Sequence, residues 1–399
     1  MKSNTTIILG DVHLGKGLSV GKQGIGSNLN SRVIDQLNIL DFTLDQAIEA
    51  RARTIIITGD VFEDPRPHPT LITLFMGWLN KCVDANIIVH IIMGNHDLLR
   101  SGQFNISALD IIAEAGLHNV FIHKSISTIN TDGASYTILP FRDRRSFNLD
   151  INSAAINVLS KKVEHELLDI EKHNYKVVVG HLAIEGSIPV GDEIDDMANE
   201  LFCPVSMFNG YDFGLFGHIH KPQILSMSPY IAHVGSMDLS DFGESDHQKI
   251  LTVFDPNKDQ PLKYIDIPTR PLRQVSVSVP DNIINATEYV LKELGEQVSL
   301  NKAIVKLNVV LNNPNTVSID RIEVEAALNK LGAYHIARIS EEKRSVLIKK
   351  TQANDIDNTM NEMTAVKMYS VSNIDEEYQS EFISLATDII NECKAEKVA

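Results

Sequence analysis

Five times before residue 221 an apolar run of strand length ends at a glycine, and each of those glycines is followed at once by Asp, Asn or His. The runs close on Gly10-Asp11, Gly59-Asp60, Gly94-Asn95-His96-Asp97, Gly180-His181 and Gly217-His218-Ile219-His220. Apolar runs such as Ile87 to Met93, bounded by turn residues, read as buried strands. Between them Val33, Leu37, Leu40, Leu44 and Ile48 recur at helical spacing, and Pro65, Pro67 and Pro69 force a loop before another helix. A further helix is expected near Ile106 to Ala115, with strands near Val120 and Tyr136 to Pro140. Strand, chemically loaded turn, then helix is an α/β signature, and it holds to about residue 268. In an open α/β sheet, ligands gather outside the carboxyl ends of the strands, so residues remote in sequence converge there.

The chain has 399 residues, 43% apolar and 22% charged, enough to bury a large core in two or three domains. Cys82, Cys203 and Cys393 lack the paired spacing of a disulfide framework or a thiolate zinc site, so a reducing cytoplasm is expected. The first residues are too short and polar a stretch for a signal peptide, and no apolar run reaches membrane-spanning length. A formal charge of −16 argues by itself against a nucleic-acid partner. That charge is unevenly spread. Residues 300–350 hold nine Lys/Arg against five Asp/Glu, whereas residues 351–399 hold three against ten.

The strand ends present Asp11, His13, Asp60, Asn95, His96, His181, His218 and His220, all oxygen or nitrogen donors. Each motif alone has an ordinary reading: a turn with a capping Asp, or a hydrogen-bonded core histidine. Together, each directly after an apolar strand, they are enough for two metal ions. Asp11-x-His13 and His218-x-His220 place two side chains on the same side of an extended segment, within reach of one ion. Two neighbouring divalent ions supply Lewis-acid chemistry and activated water for in-line attack on a phosphate, and no protein nucleophile is needed. A His-rich shell with carboxylates and an Asn oxygen fits manganese, iron or zinc better than calcium or magnesium.

These five motifs, in this order, resemble the signature of the calcineurin-like metallophosphoesterases. Within that superfamily the chain is similar to the SbcD-type DNA repair nucleases, bacterial and phage counterparts of the eukaryotic meiotic-recombination nuclease. Asp11-Val12-His13-Leu14-Gly15, His181 to Gly186 and Val234 to Glu244 carry this likeness. It is motif-level to about residue 250 and architectural beyond. The resemblance implies a four-layer β-sandwich core flanked by helices, with a small α+β capping domain and a C-terminal helical tail. It makes Asp11, His13 and His220 ligands of one metal, Asn95, His181 and His218 ligands of the second, and Asp60 the bridge. His96 then stands beside the scissile phosphate. Relatives often carry His or Asp where this chain has Glu63, so that position departs from the pattern. The resemblance points to manganese, to 3′ to 5′ double-strand exonuclease and single-strand or hairpin endonuclease activity, and to roles in DNA repair, recombination and replication. It also implies an SbcC-type ATPase partner, a homodimer within a heterotetramer, and a cytoplasmic location, the host's if phage-encoded. A small-nucleotide phosphodiesterase or phosphatase and a non-catalytic DNA-end-binding scaffold remain open alternatives.

The expected division is 1–268 for the phosphoesterase, 269–350 for the capping domain and 351–399 for the tail. In the second part a strand at Val275 to Val279, a helix from Ile283 to Gln297, a strand from Ile304 to Leu311, a helix beginning at Ser318, and strands near His335 and Val346 are expected. Lys302, Lys306, Arg338, Lys343, Arg344, Lys349 and Lys350 there, and Arg142, Arg144 and Arg145 earlier, are candidate contacts to backbone phosphates. In the tail Met360, Met363 and Val366 form a short apolar face. Tyr378, Phe382, Leu385, Ile389 and Cys393 form a longer one, with Asn373 and Glu376 as its cap.

Overall fold

The structure is a computed structural model that describes residues 4–23, 28–99, 106–170, 174–190, 200–296, 300–313, 315–343, 366–367, 369–370, 374 and 378–396. The glycine-rich loop at 24–27, Arg344, Val346, Lys349, Lys350, Met360, Met363, Asn373, Glu376 and the side chain of Cys393 lie outside the described residues.

In the first sheet β1 (Thr6–Leu9), β2 (Thr54–Ile57), β3 (Ile88–Ile92) and β4 (Val120–His123) run parallel in that order. On the far side of β1, β13 (Ile250–Phe254) and β14 (Leu262–Asp266) are added antiparallel. The second sheet has the same plan. Parallel β6 (Ala134–Leu139), β7 (Tyr175–His181), β10 (Phe213–Gly217) and β12 (Tyr230–His233) are edged by antiparallel β5 (Ser127–Asn130) and β11 (Gln223–Met227). Two-residue strands β8 (Ala183–Ile184) and β9 (Phe202–Cys203) pair separately.

Side-chain alternation turns these apolar runs into layers. Ile7, Leu9, Ile55, Ile57, Val89 and Ile91 point outward and pack with Leu40 and Leu44 of α1 (Ser31–Glu49), Phe75 and Trp78 of α2 (Pro69–Asp84), and Leu109 and Ile112 of α3 (Ala108–Glu114). Their neighbours Ile8, Ile56 and Ile92 point inward, against Ile138, Val177, Val179 and Leu215 of the second sheet. The other face of that sheet, through Leu139, Val178 and Phe216, receives Leu159 and Val163 of α4 (Asn152–Glu166). Helix, sheet, sheet, helix are the four layers expected, and strands covered on both faces explain why the runs are continuously apolar. Pro69 opens α2 in the first turn, where a missing N–H has no helical partner to lose.

Close contacts divide the chain into two compact units. One comprises Met1–Val277, Thr287–Val309 and Ile319–Ser340, the other Ser278–Ala286, Val310–Ser318 and Glu341–Ala399. Strands β15 (Leu272–Val279), β16 (Ile304–Leu311) and β17 (His335–Lys343) form a three-stranded sheet in that order. The helix expected from Ile283 begins at Ala286 (α5, Ala286–Glu296), and the next begins at Arg321 (α6, Arg321–Lys330), capped by Asp320, whose carboxylate accepts from Ile322 N and Glu323 N. The last helix is α7 (Gln379–Glu396). No described helix is long and apolar enough to cross a membrane.

Candidate metal centre

Because β1, β2 and β3 run parallel in one sheet and β7 and β10 in the other, the turns after all five open at one end of the sandwich. The backbone laces them together: His13 N donates to Asp60 O (2.8 Å), Met237 N to Asp11 O (2.9 Å), and His218 N to Asp11 Oδ2 (2.7 Å). His13, Asp60 and His218 have φ of 44°, 46° and 82°. Non-glycine residues seldom adopt such angles, which cost roughly 1–3 kcal/mol each and cluster at functional sites. The glycines have a second purpose. A Cβ on Gly94 would lie 2.0 Å from Asp60 Oδ1, and one on Gly217 would lie 2.2 Å from Asp11 Oδ1, so each glycine leaves room for a carboxylate of a different motif.

The donors fall into overlapping groups whose ligand atoms lie within 4.8 Å of one another: Asp11, His13 and His220; His13, Asp60 and His96; Asp11, Asp60 and His181. Asn95 joins them through Oδ1, which is 2.8 Å from His181 Nε2 and 3.1 Å from His218 Nδ1. All eight strand-end residues are thus brought together. The basic residues proposed for DNA are not in this cluster: Arg145 and Lys302 are exposed, and Lys306 lies over the Phe242 ring at 5.8 Å.

The ring nitrogens are arranged for cations. His181 Nδ1 donates to the Thr58 carbonyl at 3.0 Å, leaving Nε2 facing Asn95 Oδ1 at 2.8 Å and Asp60 Oδ2 at 3.3 Å. A bare lone pair against two oxygens is tolerable only with a second proton or a metal ion between them. Accordingly, although burial opposes it, Asp60 and Asp11 hold the His181 pKa well above its ordinary value. His220 repeats the pattern. Its Nδ1 faces Glu244 Oε1 at 3.3 Å, and its Nε2 faces His13 Nε2 at 3.0 Å. Burial, then the adjacent His181, pushes His218 down to about 3, and its buried Nε2 has no hydrogen-bond partner among the described residues. His218 and His220, held neutral by burial, and a His181 nitrogen turned toward the Asn95 and Asp60 oxygens fit a pair of metal ions.

His96 is held differently. Its backbone N donates to Asp60 Oδ1 (2.8 Å) and its Nδ1 to the Glu63 carbonyl (2.9 Å), so Nε2 is the nitrogen left to meet a substrate. Burial works against its charge, but Asp60 and the Glu63 carbonyl raise its pKa overall. Glu63, the departure from the family pattern, places Oε2 2.8 Å from His13 Nδ1 without hydrogen-bonding alignment.

Supporting residues complete the site, and most of them carry little signal in the sequence. Thr58 Oγ1 donates to Asp11 Oδ1 (3.1 Å). Asp97 accepts from Gly94 N and Val61 N (2.9 and 3.1 Å), so the capping role is real and ties the Asp60 and Asn95 turns together; burial, reinforced by Asp60, pushes its carboxyl up to about 7. Behind His220, the fully buried Lys249 donates to Glu244 Oε2 (2.6 Å), Ser236 Oγ (2.8 Å) and the His220 carbonyl (2.8 Å). Glu244 falls in the 234–244 stretch that carries the resemblance, which is its only signal; Lys249 has none.

The chain is 26% identical over 279 residues to the SbcD component of the SbcCD nuclease of Staphylococcus epidermidis, covering 67% of this chain and 70% of that one. Among solved structures, a dimetal phosphatase from Danio rerio is similar at 12% identity and a TM-score of 0.40, covering 67% of this chain and 99% of that one. A cold-active protein-tyrosine phosphatase of a Shewanella species follows at 13% identity and a TM-score of 0.29, covering 66% and 80%. The calcineurin-like phosphoesterase family itself matches residues 5–222, more than half the chain and every strand-end motif. With the four-layer sandwich and the donors gathered at one end of it, the chain belongs to the calcineurin-like phosphoesterases.

Proposed function

We propose that this chain is a two-metal DNA nuclease, the nuclease subunit of an SbcC–SbcD-type complex in double-strand-break repair, recombination and replication-linked end processing. The reading is carried by the conjunction of eight metal-competent side chains at one sandwich end with the likeness to the staphylococcal SbcD protein. Asp11, His13 and His220 would hold one ion, Asn95, His181 and His218 the other, and Asp60 would serve both; manganese suits this donor set. When bound, the ions supply Lewis acidity for hydrolysis of a phosphodiester. His96 would place Nε2 at the reacting phosphate, offsetting developing charge or passing a proton to the leaving oxygen. Residues 269–350 would cap the DNA, with Lys302 and Lys306 on backbone phosphates. Residues 351–399 would meet the ATPase, and two copies of each subunit would form the assembly in the cytoplasm.

The test compares manganese-dependent hydrolysis of duplex DNA, bis(p-nitrophenyl) phosphate and mononucleotides by the wild-type chain and by Asp60→Asn. Nucleotides released from 3′ ends of duplex DNA, with loss of activity and bound metal in the variant, are the expected result. Hydrolysis of mononucleotides alone would replace this reading with a small-nucleotide phosphoesterase. Unchanged activity and two bound ions in Asp60→Asn would overturn the ligand set.

A further inference from the structure

Beyond the metal centre, on the side of α4, lies a cavity of about 650 Å³ lined by Arg142, Lys161, Lys162, His165 and Glu166 among others. Arg142 is half-buried and fixed: one guanidinium nitrogen donates to the Phe141 carbonyl and another to the Lys124 carbonyl, both at 2.6 Å. It makes no ion pair among the described residues, and burial holds its pKa below the ordinary guanidinium value. The carboxylate lining the cavity, Glu166, already accepts from Thr128 Oγ1 at 2.8 Å. Lys161 and Lys162 stand exposed on the same wall. Even with the carboxylate of Asp143 acting on it, an immobilised guanidinium without an ion pair beside two ammonium groups is a site short of an anion. In a chain of net charge −16 its local excess of cations is the more telling.

Its position indicates which anion. Phe141, the residue before Arg142, packs its ring 5.8 Å from the His218 ring and 6.2 Å from the His181 ring. The arginine that lines the cavity thus directly follows in the chain a residue packed on two of the strand-end histidines. A mononucleotide has too few phosphates to engage both places, whereas a polyphosphodiester offers a phosphate to each. We infer that this cavity is a phosphate-binding subsite that grips the backbone of a nucleic-acid substrate away from the scissile bond, with Arg142 as its fixed anchor and Lys161 and Lys162 as its outer cations. This rests on the nuclease reading, and it would make hydrolysis selective for polymers over small diesters.

The experiment measures binding of a fluorescein-labelled DNA duplex to the full chain in EDTA, by anisotropy across a salt series, so that no hydrolysis intervenes. Each phosphate contact contributes roughly 0.9 to the slope of log affinity against log salt. Lys161→Glu/Lys162→Glu, both on the exposed face of α4, is expected to weaken binding at least tenfold and to flatten the slope by about 2. Arg142→Gln is expected to shift both in the same direction. The ratio of kcat/KM for duplex DNA to that for bis(p-nitrophenyl) phosphate should fall with them. Wild-type affinity and slope in the double variant would overturn the subsite and leave the nuclease reading standing. Failure of the wild-type chain to bind duplex DNA, with small diesters still hydrolysed, would overturn the nuclease reading instead.

Discussion

His96 touches the Asp60 carboxylate through its backbone and the Glu63 carbonyl through Nδ1, which leaves Nε2 to meet a substrate, and neither proposed ion shell includes it. His96→Ser is expected to keep metal and DNA binding and to lose roughly 10²–10⁴ in rate, the usual worth of a general acid or an electrostatic stabiliser. Single-turnover hydrolysis within a few-fold of wild type would exclude it from the reaction. Glu244 acts one layer further out. A ligating imidazole that donates its second N–H to a carboxylate is oriented and made more basic, and loss of such a partner commonly costs 10–100-fold in metal affinity. Glu244→Gln keeps the shape and an acceptor oxygen but removes the charge opposite Lys249 and His220. Titration calorimetry with manganese should show one of two sites weakened about tenfold or more, the other spared. Two unchanged sites would reduce Glu244 to a packing residue.

At the scale of elements, the strands that carry the site are legible from sequence because burial on both faces makes them continuous apolar runs, and because each run stops at a glycine with a donor behind it. Of the edge strands, β4 is expected near Val120, but β11 and β14 are not. β11 and β14 are buried on one side at most, so Gln223–Met227 and Leu262–Asp266 read as mixed segments without a clear period. The Glu244–Lys249 pair escapes for another reason: it joins a short turn to β13, and neither spacing nor composition announces a contact between two loops of a fold. The glycine that precedes Asn95 looks like a turn residue, yet its more exacting duty is to leave space for Asp60. Gly94→Ala would push a Cβ to 2.0 Å from Asp60 Oδ1, so the carboxylate must move. The expected result is a folded protein, with its far-ultraviolet spectrum retained, that has lost most of its manganese affinity and hydrolysis. Wild-type metal stoichiometry would show that the turn can yield without disturbing Asp60.

For the whole molecule, acid sensitivity has a source away from the metal centre. His90 on β3 points into the sandwich, with Nδ1 2.9 Å from His123 Nε2 and its ring stacked on Phe121. Burial, then the neighbouring His123, pushes His90 down to about 4. In the unfolded chain it takes a proton near pH 6.5, so below that pH the unfolded state binds a proton that the native state refuses. Stability is complete above about pH 6.5 and declines as pH falls toward about 4, by at most about 3 kcal/mol from this group. Melting in EDTA should therefore drop less steeply between pH 7 and pH 4.5 in His90→Phe than in wild type. Parallel slopes would place the acid sensitivity elsewhere.

The division of the chain for function can be read by truncation. Every residue of the metal centre precedes residue 278, inside the first compact unit, so none of the proposed ligands lies in residues 351–399. Those residues hold three basic against ten acidic side chains, and α7 leaves Leu385 64%, Ile389 54% and the preceding Tyr378 54% exposed. Large apolar side chains at helical spacing on an exposed helix are the usual means by which one chain lies in the groove of another, and the acidic surroundings favour a basic partner surface. A chain ending at Lys350 is expected to stay folded, bind manganese and hydrolyse bis(p-nitrophenyl) phosphate at near wild-type kcat, while losing the ATPase subunit. Pull-down and titration against the purified ATPase would measure this directly. If the shortened chain binds the ATPase as tightly as the full one, the partner surface lies on the phosphoesterase or capping residues and the tail has another role. If the shortened chain instead loses manganese binding, the tail supports the fold of the centre, and the proposed division at residue 350 is wrong.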